Sequence, residues 1–200
     1  MLLDIQDYMS RAIRGDVQVS PENLELFVKE SREAIEKQFG GRKREYRIRM
    51  SGLGKPLCQQ ILDKFGIEET MQYNSISRFA FGDLTEALLM LVMREAGIDI
   101  VDFQKEVELE IADITVKGTL DVIIRGTDGV ERVWDIKSAS DWAFKNKFTG
   151  SGGYEHMKND DPFGYIMQGH LYGAAMGMDF GGRIVINKSS GEVAIVEAYD

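Results

Sequence analysis

Hydrophobic residues in the first half of the chain recur mostly at helical spacing. One apolar stripe within residues 77–96 is formed by Phe81, Leu84, Leu88, Leu91 and Val92. Gly97 follows this stripe as a stop signal. Ser20 and Pro21 are typical of an N-cap and a first-turn proline, so a helix is expected to begin there. The predicted helices cover residues 1–14, 21–39, 55–65, 77–96 and 161–177.

The second half of the chain contains stretches in which apolar and polar residues alternate, as is typical of strands. The sequence GTDG at 126–129 separates two of these stretches and favours a hairpin turn. The predicted strands cover residues 98–111, 113–125, 130–138, 183–187 and 192–198, with a short extended segment at 46–50 and a loop at 139–161. This order of elements predicts a mixed α/β domain behind a helical N-terminal portion.

Composition narrows the kinds of protein that this chain can be. The apolar fraction of 44% and the charged fraction of 28% are typical of a globular protein. No run of about eighteen apolar residues indicates a membrane span, and the N-terminus lacks the pattern of a secretory signal. A single cysteine, Cys58, excludes an internal disulfide and a four-cysteine zinc or iron–sulfur site. We therefore expect a cytoplasmic protein whose metal, if it has one, is a cation that prefers oxygen ligands.

The net charge of −9 disfavours nucleic acid as a partner, because phosphate binding needs a basic surface. The segment 40–49 departs from this average, with five basic residues against one glutamate. Such a run is either a solvated surface loop or an edge that contacts phosphates. The candidate DNA-binding residues are Arg42, Lys43, Arg44, Arg47 and Arg49, together with Lys145 and Lys147 in the later loop.

Three charged residues lie inside the predicted hairpin, where most neighbours are apolar. Asp121 belongs to its first strand, and Asp135 and Lys137 share one face of its second strand. Counting outward from the turn places Asp121 near Asp135. Two converging carboxylates are costly to bury unless a positive charge lies between them, and a divalent cation would supply it. Lys137 could then act on a water or a phosphate, although an exposed Asp–Lys ladder is an equally simple interpretation.

Two further segments carry polar residues in helices. Glu86 is an acid among apolar residues of the helix at 77–96, either as a third oxygen ligand or as an ordinary exposed side chain. Gln168 and Tyr172 are four residues apart and therefore share one helix face. A tyrosine packed in the core with a glutamine at its edge is a common alternative for such a pair.

Together these motifs resemble the active-site core of the PD-(D/E)XK nuclease superfamily. GTLDVII, followed at hairpin distance by VWDIKS, is similar to its acid and acid–X–Lys motifs. FGDLTEALLMLVMREAG, with Gly82 and Glu86, resembles the upstream helix of the branch that contains RecB-like nuclease domains, the bacteriophage lambda exonuclease and CRISPR-associated exonucleases. QGHLYGAAMG carries the Gln-x-x-x-Tyr motif of that branch. The resemblance covers residues 82–172, and Thr85 stands where some members have His.

The resemblance implies a restriction-endonuclease-like core at residues 76–200, in which helices flank a central mixed β-sheet. Residues 1–75 would be a helical portion packed on that core. It implies a Mg²⁺ or Mn²⁺ site whose ligands are Glu86, Asp121, Asp135 and the backbone carbonyl of Ile136. Lys137 would position or activate the attacking water, while Gln168 and Tyr172 would steady the phosphate or the lysine.

The function implied is that of a metal-dependent DNA nuclease without an iron–sulfur cluster, and the branch favours an exonuclease. It would serve recombination, repair or phage DNA processing in a bacterial or phage-infected cell. Its substrate would be single-stranded DNA or duplex ends, and a second copy of the chain or a recombination protein is a further candidate partner. The alternative is a DNA-binding or assembly protein that has the nuclease fold without catalysis.

Overall fold

The structure is a computed structural model that describes residues 1–41, 46–66, 72–150, 153–159 and 161–198. The helices of these ranges are α1 (Leu2–Ile13), α2 (Pro21–Phe39), α3 (Met50–Leu53), α4 (Leu57–Lys64), α5 (Tyr73–Glu95), α6 (Asp141–Ala143), α7 (Tyr154–Asn159) and α8 (Tyr165–Met176). The strands are β1 (Ile100–Ile111), β2 (Ile114–Arg125), β3 (Glu131–Ala139), β4 (Asp179–Asn187) and β5 (Val193–Glu197). None of the helices in the described ranges has the length and apolar character needed to cross a membrane.

The five strands form one mixed sheet in the order β1-β2-β3-β4-β5. Neighbouring strands are antiparallel except for β3 and β4, which are parallel. The connection between these two contains α6, α7 and α8, because a parallel pair needs a long crossover. The predicted α/β class, with a central mixed sheet, flanking helices and a helical N-terminal part, is confirmed.

Both faces of the sheet are covered, and the alternation of side chains along the strands decides which residues face which layer. On one face, Val122 and Ile136 pack with Leu89 of α5 and Ile5 of α1. On the other face, a second cluster lies under α8 and α3, with Ile123, Val133, Met50 and Tyr172 among its members. Asp121 is two residues from Ile123 in β2, and Asp135 and Lys137 are two and four residues from Val133 in β3. Strand residues at this spacing share a face, so these predicted site residues lie on the face covered by α8.

A glycine in β2 allows α8 to approach the sheet closely at this face. A Cβ atom at Gly118 would lie 2.6 Å from Cε1 of Tyr172 and 3.1 Å from the sulfur of Met50. Any larger residue at position 118 would therefore push Tyr172 away from β2. The glycine fixes the depth at which the Tyr172 side chain enters the site.

Two segments differ from the prediction. Residues 139–161, predicted as a loop, contain α6, a π-helical turn at Phe144–Phe148, and α7; these elements are too short to produce a readable periodicity. Helix α8 begins at Tyr165 and not at residue 161, because the Asp161 carboxylate accepts the N–H groups of Tyr165 and Ile166 at 2.8 and 2.7 Å.

Residues 46–50, predicted as extended, make one isolated parallel bridge between Arg49 and Lys117 before α3 begins at Met50. The strand predicted at 183–187 is longer than expected. Its start at Asp179 adds Phe180, which is buried under α8.

Candidate functional site

The strands β2 and β3 stop pairing where the predicted site begins. The pairing begins near the turn, where Arg125 lies opposite Glu131, and ends where Val122 lies opposite Trp134. Next along β2 is Asp121, whose Oδ2 accepts the backbone N–H of Ile136 at 2.8 Å. A side-chain carboxylate therefore satisfies a buried donor of β3 at the position where the backbone ladder ends.

Asp135 and Lys137 form the second part of the site, on β3. Lys137 Nζ lies 2.7 Å from Asp135 Oδ1, and the Asp135 side chain is almost completely buried. The two residues are neighbours because side chains two apart on a strand share one face. The predicted proximity of these two charges is therefore found in the structure.

Arg183 is a further charged residue of the site that sequence reasoning missed. Its Cα is paired with that of Asp135 across the parallel strands β3 and β4, and its side chain is fully buried. Arg183 Nε lies 3.2 Å from Asp135 Oδ2, an ion-pair distance without hydrogen-bond alignment. Nη2 donates to the backbone carbonyl of Tyr165. Within the described ranges, Nε and Nη1 have no hydrogen-bond partner, so the guanidinium is incompletely satisfied.

Glu86 lies on α5, which precedes β1 in the chain and packs on the face of the sheet opposite α8. Its half-buried carboxylate accepts a hydrogen bond from Gln104 Nε2 at 2.5 Å. Gln104 has a φ of 47°, an unusual conformation for a residue other than glycine, and lies two residues after the register shift at Ile100–Asp102 in β1. Burial raises the pKa of Glu86 to about 7, with Asp135 adding to the rise and Lys137 opposing it.

The charged groups of the two strands act on each other. Burial raises the pKa of Asp121 well above its ordinary range, and the neighbouring charges of Asp135 and Glu86 raise it further. Burial alone would lower the pKa of Lys137, but the carboxylates of Asp135 and Asp121 outweigh burial and raise it. Four predicted residues from α5, β2 and β3 therefore share one electrostatic environment.

Gln168 and Tyr172 close the site from α8. Both side chains are buried, and Gln168 Nε2 donates to the Tyr172 hydroxyl at 3.3 Å. Burial raises the pKa of Tyr172, and the charge of Asp121 adds to this rise, while the hydrogen bond from Gln168 opposes it. The predicted pair thus lies beside the carboxylate of β2, with its polar atoms directed towards each other.

The predicted basic residues are found in separate places. Arg42, Lys43 and Arg44 lie outside the described residues. Arg47 and Arg49 are exposed in the segment before α3, and exposed Lys145 forms an ion pair with Asp141 at 2.9 Å. Lys147 lies over the ring of Phe163, 4.9 Å from its centroid.

The donor chemistry of the site suits a hard cation, but its present arrangement does not form a complete metal centre. Carboxylate oxygens are the ligands that Mg²⁺ and Mn²⁺ prefer, and burial, which raises the pKa of Asp121 and of Glu86, disfavours the charged forms that a bound cation would stabilise. Among the described residues, however, no three His, Cys, Asp or Glu side chains come together as a cation-binding group. Asp135 instead faces Lys137 and Arg183. It can ligate a cation only by sharing an oxygen with one of these bases or by releasing it.

Comparison with known proteins extends the description of the fold. No protein-family model matches the chain, and no curated protein matches it. The fold is similar to that of SSO0001, known from a crystal structure, with a TM-score of 0.51 and 19% sequence identity. The similarity covers 85% of this chain and 77% of that chain. At this identity the similarity concerns the fold alone.

Proposed function

We propose that this chain is a metal-dependent DNA nuclease, and that it acts as an exonuclease in recombination, repair or phage DNA processing. The observation that carries the proposal is the arrangement on β2 and β3, where Asp121 accepts the N–H of Ile136 at 2.8 Å and Lys137 Nζ lies 2.7 Å from Asp135 Oδ1 on the same face of the sheet. Placing acids with raised pKa values beside a buried carboxylate is costly, and such perturbed carboxylates are typical of functional sites. The resemblance of the same residues to nuclease motifs supports the choice of reaction.

Glu86, Asp121, Asp135 and the backbone carbonyl of Ile136 would hold Mg²⁺ or Mn²⁺. When bound, the cation would lower the pKa of a water and stabilise charge on the phosphate. Lys137, whose ammonium stays protonated because its pKa is raised, would donate a hydrogen bond to the attacking water or to the scissile phosphate. Gln168 and Tyr172 would orient the phosphate or the lysine from α8.

A second candidate is a DNA-binding or assembly protein without catalysis. The specific observation in its favour is the position of Arg183, whose fixed positive charge lies 3.2 Å from Asp135 Oδ2. A permanent internal cation could take the place of a metal and leave a stable core with no reactive centre.

One experiment separates the two candidates. End-labelled linear and closed circular DNA, single- and double-stranded, is incubated with the protein in Mg²⁺, Mn²⁺ or EDTA. An exonuclease degrades linear DNA only and requires the cation. A Lys137→Ala variant, purified in the same way, controls for contaminating nucleases. Cleavage that persists in EDTA contradicts the metal mechanism, and DNA binding without cleavage under all conditions favours the second candidate.

A further inference from the structure

Aromatic rings and lysines form a short stack that leads from the surface to Lys137. Lys147 Nζ lies 4.9 Å from the centroid of the Phe163 ring. Phe163 stacks on Tyr165, with centroids 5.5 Å apart and ring planes inclined by 25°. Lys137 Nζ in turn lies 5.6 Å from the centroid of Tyr165. The stack therefore connects an outer ring with the lysine of the proposed catalytic centre.

Phe163 is the part of this stack that solvent reaches. Its side chain is 51% exposed although Tyr165 and Lys147 both contact the ring. A single exposed aromatic residue is ordinary on a protein surface. The Phe163 ring differs because it stacks on Tyr165, which contacts Lys137 of the charged site, and because Lys147 lies over it. Because Lys147 lies over the ring, a base stacks on Phe163 only when the ammonium moves aside to an adjoining phosphate. An aromatic ring together with a cation is the combination with which proteins bind unpaired nucleotides.

The backbone that carries Phe163 is held firmly in place. The Asp161 carboxylate, two residues before Phe163, accepts the N–H groups of Tyr165 and Ile166, which follow Phe163 in the chain. Gly164 has a φ of 71°, and a Cβ atom there would lie 2.4 Å from the Cα of Gly54. The turn is thus pinned between a helix start and the backbone after α3. A ring presented in this way loses little conformational freedom when a ligand stacks on it.

The π-helical turn Phe144–Phe148 sets the position of Lys147. Phe144 and Phe148 are buried anchors at its two ends, and Lys147 lies between them in sequence. Phe148 also contacts Tyr165, with ring centroids 6.3 Å apart. The turn and the stack therefore form one packed unit, and π-helical turns occur often at functional sites.

We propose that Phe163 is a stacking platform for an unpaired base of a single DNA strand whose end lies at Lys137, and that Lys147 binds an adjoining phosphate. This inference rests on the proposed function, because it takes the surroundings of Lys137 as the catalytic centre. Bases within a duplex are already stacked on both faces, so the platform selects single-stranded DNA or an unpaired end over intact duplex. Substrate selection would then come from ring stacking and not from the sequence of bases.

Binding of a fluorescently labelled oligothymidine, measured by anisotropy in EDTA, tests the platform without requiring cleavage. Phe163→Leu keeps an apolar side chain but removes the aromatic ring, and we expect its affinity to fall roughly 5- to 150-fold. Phe163→Trp should bind at least as tightly as the wild type. Tyr73→Leu is the matched control, because Tyr73 is exposed and lies about 20 Å from Glu86 along α5. Its affinity should not change.

A strand of the same length without bases distinguishes stacking from charge. Wild-type protein should bind this abasic strand about as weakly as Phe163→Leu binds oligothymidine. Equal affinity of the wild type for both strands, or of the wild type and Phe163→Leu for oligothymidine, overturns the platform. Cleavage assays in Mg²⁺ test the proposed function separately. Base-dependent binding without cleavage supports the platform and contradicts the nuclease function. Cleavage by the wild type, with equal binding of the wild type and Phe163→Leu, supports the nuclease function and contradicts the platform.

Discussion

Asp121 accepts the backbone N–H of Ile136 at 2.8 Å, at the point where the backbones of β2 and β3 cease to pair. The carboxylate therefore supports the sheet as well as contributing negative charge to the site. Its structural contribution and its proposed chemical contribution can be separated, because an amide oxygen can accept the same hydrogen bond without carrying the charge.

Asp121→Ala should lower the free energy of unfolding by about 1–3 kcal/mol, because the buried N–H of Ile136 loses its acceptor. Asp121→Asn should recover most of this loss. Neither variant should cleave DNA if the charge is needed for the reaction. Urea denaturation and a cleavage assay on the same preparations provide the two measurements. An Asn variant as active as the wild type would contradict the proposed role of the charge.

The raised pKa of Glu86 predicts a dependence of stability on pH in metal-free buffer. The pKa of Glu86 is about 7 in the folded protein against an ordinary value of 4.5. Between these values the folded protein retains a proton that the unfolded chain releases, so the contribution of Glu86 to the free energy of unfolding falls as pH rises and levels off above about 7. Glu86→Gln should reduce this fall, whereas Glu33→Gln, at an exposed position on α2, should leave it unchanged. Identical pH profiles for wild type and Glu86→Gln would show that Glu86 titrates normally.

Lys137→Ala should remove most turnover while metal binding persists, because the lysine acts on the water or the phosphate and not on the cation. We expect a loss of roughly 100-fold or more in rate. Asp121→Ala and Asp135→Ala should lose metal affinity and cleavage together. Lys117→Ala, which breaks an exposed ion pair with Glu108, is the control. Calorimetry with Mn²⁺ separates the two classes, and loss of Mn²⁺ binding in Lys137→Ala would contradict the assignment.

The buried ion pair of β3 and β4 predicts a strong effect on stability. Arg183→Met leaves Asp135 with Lys137 alone and should lower the free energy of unfolding by about 3–5 kcal/mol. Adding Asp135→Asn should restore part of this loss, because the second change removes the charge left behind. A double-mutant cycle measures the coupling between the two positions. Additive effects would show that the guanidinium and the carboxylate do not interact.

The basic segment before α3 predicts a change in salt dependence. Replacing Arg42, Lys43 and Arg44 by Ala should flatten the slope of log affinity against log salt by roughly 0.7–0.9 for each DNA phosphate that these side chains neutralise in the wild type. Metal binding should be unaffected. An unchanged slope would identify the segment as a solvated loop and direct attention to Lys145 and Lys147.

Local signals explain why the hairpin and its charges were predictable. The turn at 126–129 and the alternation on either side fix which residues face each other, so Asp121 and Asp135 fall on one face by counting alone. Helix α5 was predictable from its apolar spacing and its stop at Gly97, although it begins at Tyr73. The predicted stripe is not its buried face, because Phe81 and Leu88 are exposed whereas Leu89, Met90 and Met93 are buried. These elements depend on neighbours in the sequence.

The missed residues depend on contacts that no local pattern contains. In the sequence Arg183 is one charge in a strand, and only the parallel pairing of β3 with β4 places it opposite Asp135. Gln104 reaches Glu86 because its backbone takes a positive φ in β1. The stack of Phe163 on Tyr165 depends on a turn before α8 that lies within the predicted helix at 161–177.

The parallel pairing of β3 with β4 also determines when the site can exist. As the chain is synthesised, the hairpin of β2 and β3 emerges well before β4, which must insert beside β3 to bring Arg183 to Asp135. Until then Asp135 lacks the arginine that lies beside it in the folded protein. A ribosome-bound fragment that ends before β4 holds this buried carboxylate without its partner, so the ion pair forms only after synthesis has passed Arg183.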